Sequence, residues 1–124
     1  MLFHSHQIKG IGRGKQIGCP TINLEIPKDF GLDAGVYSSW VVINDKTYKG
    51  ALHYGPIPTF NQPHSTMEVH LIDITDDNFP KINGQQIEID IVEKIRDILT
   101  FSDSDELIEH IGKDIKKIKS MLKF

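Results

Sequence analysis

The sequence holds a single cysteine, Cys19, so no disulfide can form within the chain and a reducing compartment suits it. It also lacks any apolar run near the roughly 20 residues that a membrane-spanning helix needs. Met1 to Ile8 carry neither the basic nor the apolar region of a secretion signal, and a cytoplasmic protein is expected. Excess charge of one sign is missing too. A formal net charge of −3 removes any global electrostatic reason to expect nucleic acid or an anionic membrane as partner. Repeats, linkers and low-complexity tracts are absent, and 124 residues suit one domain, taken as 1–124. His4 and His6 could touch one ion, but no Cys, Asp or Glu follows at ligand spacing, so they are read as solvated or tag-like histidines.

Helical periodicity is missing until the last quarter of the chain, and period-two patterning fills the space before it. Thr21–Ile26 reads as a short strand, followed by a turn-rich connection from Pro27 to Asp33. Val36–Ile43 and Thr47–His53 flank Asn44-Asp45-Lys46 and predict a hairpin. Tyr37 and Trp40 lack basic neighbours and are read as core, not as a base-stacking platform. Tyr54 to Pro63 contains three prolines and is expected to be a rigid loop. Met67–Ile74 alternates, with Met67, Val69 and Leu71 on one face and Glu68, His70 and Ile72 on the other. After the turn at Asn83-Gly84, Gln86–Val92 resumes as a strand with Ile87, Ile89 and Ile91 inward. Leu107, Ile108, Ile111, Ile115, Ile118 and Leu122 then recur at helical spacing behind a cap at Ser102 or Asp103. Lysines close that helix where they complement its dipole, so they are not read as an anion site. The expected fold is mainly β: a closed or nearly closed, Greek-key-like antiparallel barrel of about six strands with one C-terminal helix.

The stretch with chemistry in it is Gly10 to Asn23. Gly10, Gly12, Gly14 and Gly18 let backbone amides approach a ligand closely, and Lys9, Arg13 and Lys15 add positive charge, a combination that suits phosphate. Thr21 and Asn23 supply oxygens of the kind a hard cation such as Mg²⁺ takes alongside phosphate and water. Known loop patterns fail: Gln16 stands where a P-loop needs Ser or Thr, and no glycine falls three after either Gly-x-Gly pair. On spacing alone, a nucleotide loop and an ordinary surface turn are equally good readings.

Ile17-Gly-Cys-Pro-Thr-Ile-Asn23 resembles the Leu-Gly-Phe-Pro-Thr-Ala-Asn element of the riboflavin kinase (flavokinase) family, which follows a glycine-rich basic loop. The similarity continues in order through Ala34-Gly-Val-Tyr37, Gly55-Pro-Ile-Pro-Thr-Phe60, Met67-Glu-Val-His-Leu71, Arg96-Asp97 with Phe101, and the final helix. It covers nearly the whole chain and is greatest to the kinase domain that bacterial bifunctional enzymes carry after an adenylyltransferase domain. No such preceding domain fits in 124 residues, so the resemblance implies a chain that stops at FMN.

The resemblance implies transfer of the ATP γ-phosphoryl group to the 5′-hydroxyl of riboflavin with Mg²⁺, by a monomer that needs only small-molecule substrates. Gly10, Gly12, Arg13, Gly14, Lys15, Gly18 and Pro20 would cover the nucleotide, Thr21 and Asn23 would serve the metal, and Glu68 would be the base. Arg96 and Phe101, with Asp97, would contribute to the flavin and nucleotide side, and His70 would be a structural group. From periodicity alone Glu68 is a solvent-facing strand residue, while for Arg96, without the resemblance, a surface cation between strand and helix is about as good a reading as a site residue. The chain departs from the family at His53 (commonly Asn), Ile57 (a basic residue), Ile98 (Glu), Cys19 (aromatic or aliphatic) and Ile22 (Ala). Two competing readings are a non-catalytic flavin- or nucleotide-binding module on the same barrel and a plain β-barrel interaction domain.

Overall fold

The structure is a computed structural model that describes residues 1–8, 20–56, 65–98 and 103–124. Six antiparallel strands, β1 (Leu2–Ser5), β2 (Thr21–Leu24), β3 (Gly35–Ile43), β4 (Lys46–Pro56), β5 (Ser65–Leu71) and β6 (Ile87–Arg96), form one sheet in the order β1-β6-β3-β4-β5-β2. Strands β3 to β5 run as neighbours and β6 returns beside β3, which is the Greek-key order. The sheet curls into a half-barrel. Among the described residues its two edges meet at one bridge, Gln7 to Leu24, flanked by Ile8 N–H to Asn23 O at 2.8 Å and Glu25 N–H to His6 O at 3.0 Å. Closure is therefore looser than the sequence leads one to expect, since β1 and β2 span only four residues each and leave little ladder to share.

The alternating residues meet inside the curl. Ile22, Leu24, Val41, Leu52, Val69, Leu71, Ile87 and Ile89 are fully buried, and Phe3, Phe30, Tyr54, Phe79 and Ile82 pack around them. The β3–β4 reversal is tight because Asn44 and Asp45 both take positive φ, 51° and 66°, the geometry whose twist matches a two-residue hairpin. The returning strand outruns the expected His53 end: Tyr54, Gly55 and Pro56 pair with Met67, Thr66 and Ser65. Only one proline enters it, at the last position, so the ladder loses a donor only at its end.

Leu2–Ser5 forms a strand, and His4 and His6 stay about half exposed. Leu2 to Ser5 pair with Asp90 to Ile87, His4 Nε2 lies 3.4 Å from Glu88, and His6 Nε2 lies 3.1 Å from Glu25. The helix α1 (Ser104–Met121) begins at Asp103, whose side chain accepts from Glu106 N–H at 2.8 Å. Ile118 and Leu122 are buried against the outer face of the sheet with Ile72, Trp40, Ala51 and Ile95. Ile108 belongs to the expected apolar stripe but is 45% exposed; among the described residues the cluster on the sheet takes Ile115, Ile118, Met121 and Leu122 from α1.

Gly50 on β4 is where backbone and core come closest. A Cβ there would stand 2.8 Å from Ser39 Oγ, Val41 Cγ2 and Val69 Cγ2, with no flexible neighbour to yield. Gly50→Ala is expected to cost about 1–3 kcal/mol by overpacking, read as a lower urea midpoint with an unchanged slope. A midpoint equal to the parent's would refute this account of the packing.

Candidate functional site

Because Ile22, Leu24, Leu52, Met67, Val69 and Leu71 point inward, the residues between them point outward. The ladder registers then line up one row across the outer face: Asn23 opposite Glu68, Glu68 opposite His53, His53 opposite Val36, and Val36 opposite Arg96. Opposed residues on antiparallel strands share a face with Cβ atoms about 4.5–5.5 Å apart, so Glu68 sits between Asn23 and His53. One step along, Thr21 is opposite His70 and His70 opposite Ala51. Thr21, Asn23 and Glu68, taken from two separate motifs, are thus brought together. Their side chains are partly buried, on a face that α1 covers elsewhere.

His70 Nδ1 lies 3.0 Å from Pro20 O. A carbonyl can only accept, so Nδ1 carries the hydrogen and donates it. This bond ties β5 to the residue that leads into β2. Gly10, Gly12, Arg13, Gly14, Lys15, Gly18, Cys19, Ile57 and Phe101 lie outside the described residues.

At the other end of the row, Arg96 Nε donates to both Asp114 oxygens at 3.0 and 3.1 Å, and a terminal nitrogen lies 2.9 Å from Oδ2. The side chains are 18% and 9% exposed, and Arg96 also donates to Asp97 O at 3.2 Å. Arg96 is therefore no surface cation. Asp114 escaped the sequence reading, although a signal existed: it stands three after Ile111 and four before Ile118, on the apolar stripe, where a carboxylate is buried and needs a partner.

Lys94 and Asp97 pair at 2.6 Å. The hydrogen bond from the ammonium holds the Asp97 carboxyl below its ordinary range, and the same bond raises Lys94. Burial pushes the Tyr37 hydroxyl up, and that hydroxyl donates to Asp33 O at 2.6 Å. Ile98 packs beside Gly55: a Cβ on this glycine, whose φ is +154°, would lie 3.1 Å from Ile98 Cγ1 and from Ala34 Cβ.

The donor set suits a small hard cation. Thr21 and Asn23 carry neutral oxygens on one face with a carboxylate alongside, the donor types Mg²⁺ takes in company with phosphate and water.

Residues 1–122 match the family model described as Flavokinase: Riboflavin kinase. The bifunctional riboflavin kinase/FMN adenylyltransferase of Haemophilus influenzae is 32% identical over 114 residues, 91% of this chain and 36% of that protein. An RNA-binding riboflavin kinase of Bacillus subtilis is 34% identical over 109 residues, 87% of this chain and 45% of its own length. The chain thus spans less than half of these relatives. A solved Streptococcus pneumoniae chain described as a macrolide-efflux protein superposes with a TM-score of 0.81 at 24% identity, covering 98% of this chain and 39% of that one, and it speaks for the fold alone.

If the His70 bond holds the entry to β2, His70→Leu should lower stability by about 1 kcal/mol, the worth of a typical hydrogen bond, while His70→Asn, which keeps a donor near Nδ1, should lose less. Equal denaturation midpoints for the two variants would argue against the bond.

Proposed function

The chain belongs to the flavokinase (riboflavin kinase) family, and from that premise we propose that it transfers the γ-phosphoryl group of ATP to the 5′-hydroxyl of riboflavin, giving FMN and ADP. The observation that carries this reading is the β2–β5 register, which sets a carboxylate beside the two oxygen donors of the Pro-Thr-x-Asn element. Phosphoryl transfer asks for phosphates held, charge offset and the acceptor hydroxyl oriented.

In this reading Gly10 to Gly18, with Arg13 and Lys15, cradle the phosphates through backbone amides and cations, and Pro20 sets the entry to β2. Thr21 and Asn23 would hold Mg²⁺, which would offset the negative charge of the phosphates. Glu68 accepts the hydroxyl proton as that oxygen bonds to the γ-phosphorus and the bond to ADP breaks. His53 flanks Glu68 on the side away from Asn23. The domain acts as a monomer on small molecules, and its place is the cytoplasm. None of its described helices is long and apolar enough to cross a membrane.

Purified chain given riboflavin, ATP and Mg²⁺ is expected to yield FMN and ADP, resolved by chromatography. Glu68→Gln keeps size but removes the base, and turnover should fall roughly 10²–10⁴-fold while flavin still binds. FMN made at the parental rate by this variant would remove Glu68 from the chemistry. Thr21→Val should raise the Mg²⁺ concentration needed for half-maximal rate with little change in stability, because shape is nearly kept while an oxygen is lost. An unchanged Mg²⁺ requirement would take Thr21 out of the metal site.

A further inference from the structure

We infer that Arg96 and Asp114 form a positioning pair, which holds α1 as the wall on the acceptor side of the site without itself binding substrate. The inference rests on the function proposed above. Three observations lead to it. First, all three guanidinium nitrogens of Arg96 engage protein: its Nε and one terminal nitrogen face the Asp114 carboxylate, and the other terminal nitrogen faces Asp97 O. Second, Asp114 is the one charged residue classed as buried among the described residues. A buried carboxylate is costly unless paired in good geometry, so a side-on guanidinium contact of this kind fixes two elements relative to each other. Third, the pair stands at a defined end of the row.

That row runs Asn23, Glu68, His53, Val36, Arg96. Neighbouring strands are about 4.8 Å apart, so four steps separate the oxygen donors from Arg96 by roughly 19 Å along the sheet. With the phosphates at the Thr21–Asn23 end and the base next to it, the acceptor lies over β4 and β3, towards Arg96 and α1. The apolar grip on α1, through Ile115, Ile118, Met121 and Leu122, falls C-terminal to Asp114. Asp114 is thus the first anchor N-terminal to that apolar grip among the contacts of the described residues. Freeing it should loosen the acceptor side and leave the nucleotide side untouched.

The test compares Asp114→Asn, Arg96→Met and the double variant Arg96→Met/Asp114→Leu with the parent chain, all well below their melting temperatures. Each single variant is expected to melt several degrees lower and to raise the riboflavin KM about tenfold or more, with kcat and the ATP KM within about twofold, the pattern of lost acceptor placement. Replacing a buried ion pair by apolar residues of similar volume is often neutral or stabilising. The double variant should therefore regain both the melting temperature and, within about threefold, the riboflavin KM. Single variants that melt lower yet keep the parental KM would make the pair merely structural and overturn the inference. A double variant that regains stability but not the riboflavin KM would show that Arg96 touches substrate, and would also overturn it. Riboflavin Kd from flavin fluorescence should follow the same pattern. A parent that binds riboflavin without making FMN would sink the kinase reading and leave the pair to be judged on Kd; one that binds no riboflavin would sink both.

Discussion

The register between β2 and β5 is the constraint on which everything else hangs. Strand side chains alternate with a period of two, so a slip of one residue would turn Ile22 or Val69 out to water and Asn23 or Glu68 into the core. Fully buried Ile22, Leu24, Val69 and Leu71 oppose any such slip. The apolar interior thereby fixes which polar groups meet outside. The core holds the fold together, and it also places a carboxylate next to two oxygen donors that lie more than forty residues away in the chain.

Two devices finish the outer face. The His70 to Pro20 bond pins the point where the glycine stretch becomes strand, and the Arg96–Asp114 pair pins the helix at the far end of the row. Between them α1 is gripped by apolar contacts at its C-terminal half, where Ile118 is fully buried. Of the departures from the family pattern, Ile22 is fully buried in the core, and two others lie elsewhere among the described residues. His53 stands directly beside Glu68, and Ile98 packs against Gly55. Neither displaces Thr21, Asn23 or Glu68.

Much of this was legible from patterning. Alternation in Met67–Leu71 named the inward residues, the positive-φ pair at Asn44 and Asp45 was foreshadowed by its turn chemistry, and the Asp103 cap and the helix that follows it stand as expected. Local patterning failed where non-local pairing decides. Leu2–Ser5 is too polar to announce a strand, and becomes one by pairing with β6. Tyr54–Pro56 carries glycine and proline, yet β5 extends the ladder over it. The same limit hid Asp114: its place on an apolar stripe signals burial, but nothing in the sequence says that Arg96 is its partner. Glu68 shows the matter most plainly, since its spacing suits a solvated strand residue and only strand pairing sets it between Asn23 and His53.

The central claim is that the Thr21, Asn23 and Glu68 corner of the sheet is where the nucleotide and its metal sit. Replacing Mg²⁺ by paramagnetic Mn²⁺ and titrating the chain with Mn²⁺–ATP while recording backbone amide resonances locates that corner directly. The account predicts that the amides of Thr21, Ile22 and Asn23 broaden first and those of Glu68 and His70 next, while Ser120 and Tyr48 stay sharp. Broadening centred on α1 or β1, with Thr21 to Asn23 unaffected, would contradict it.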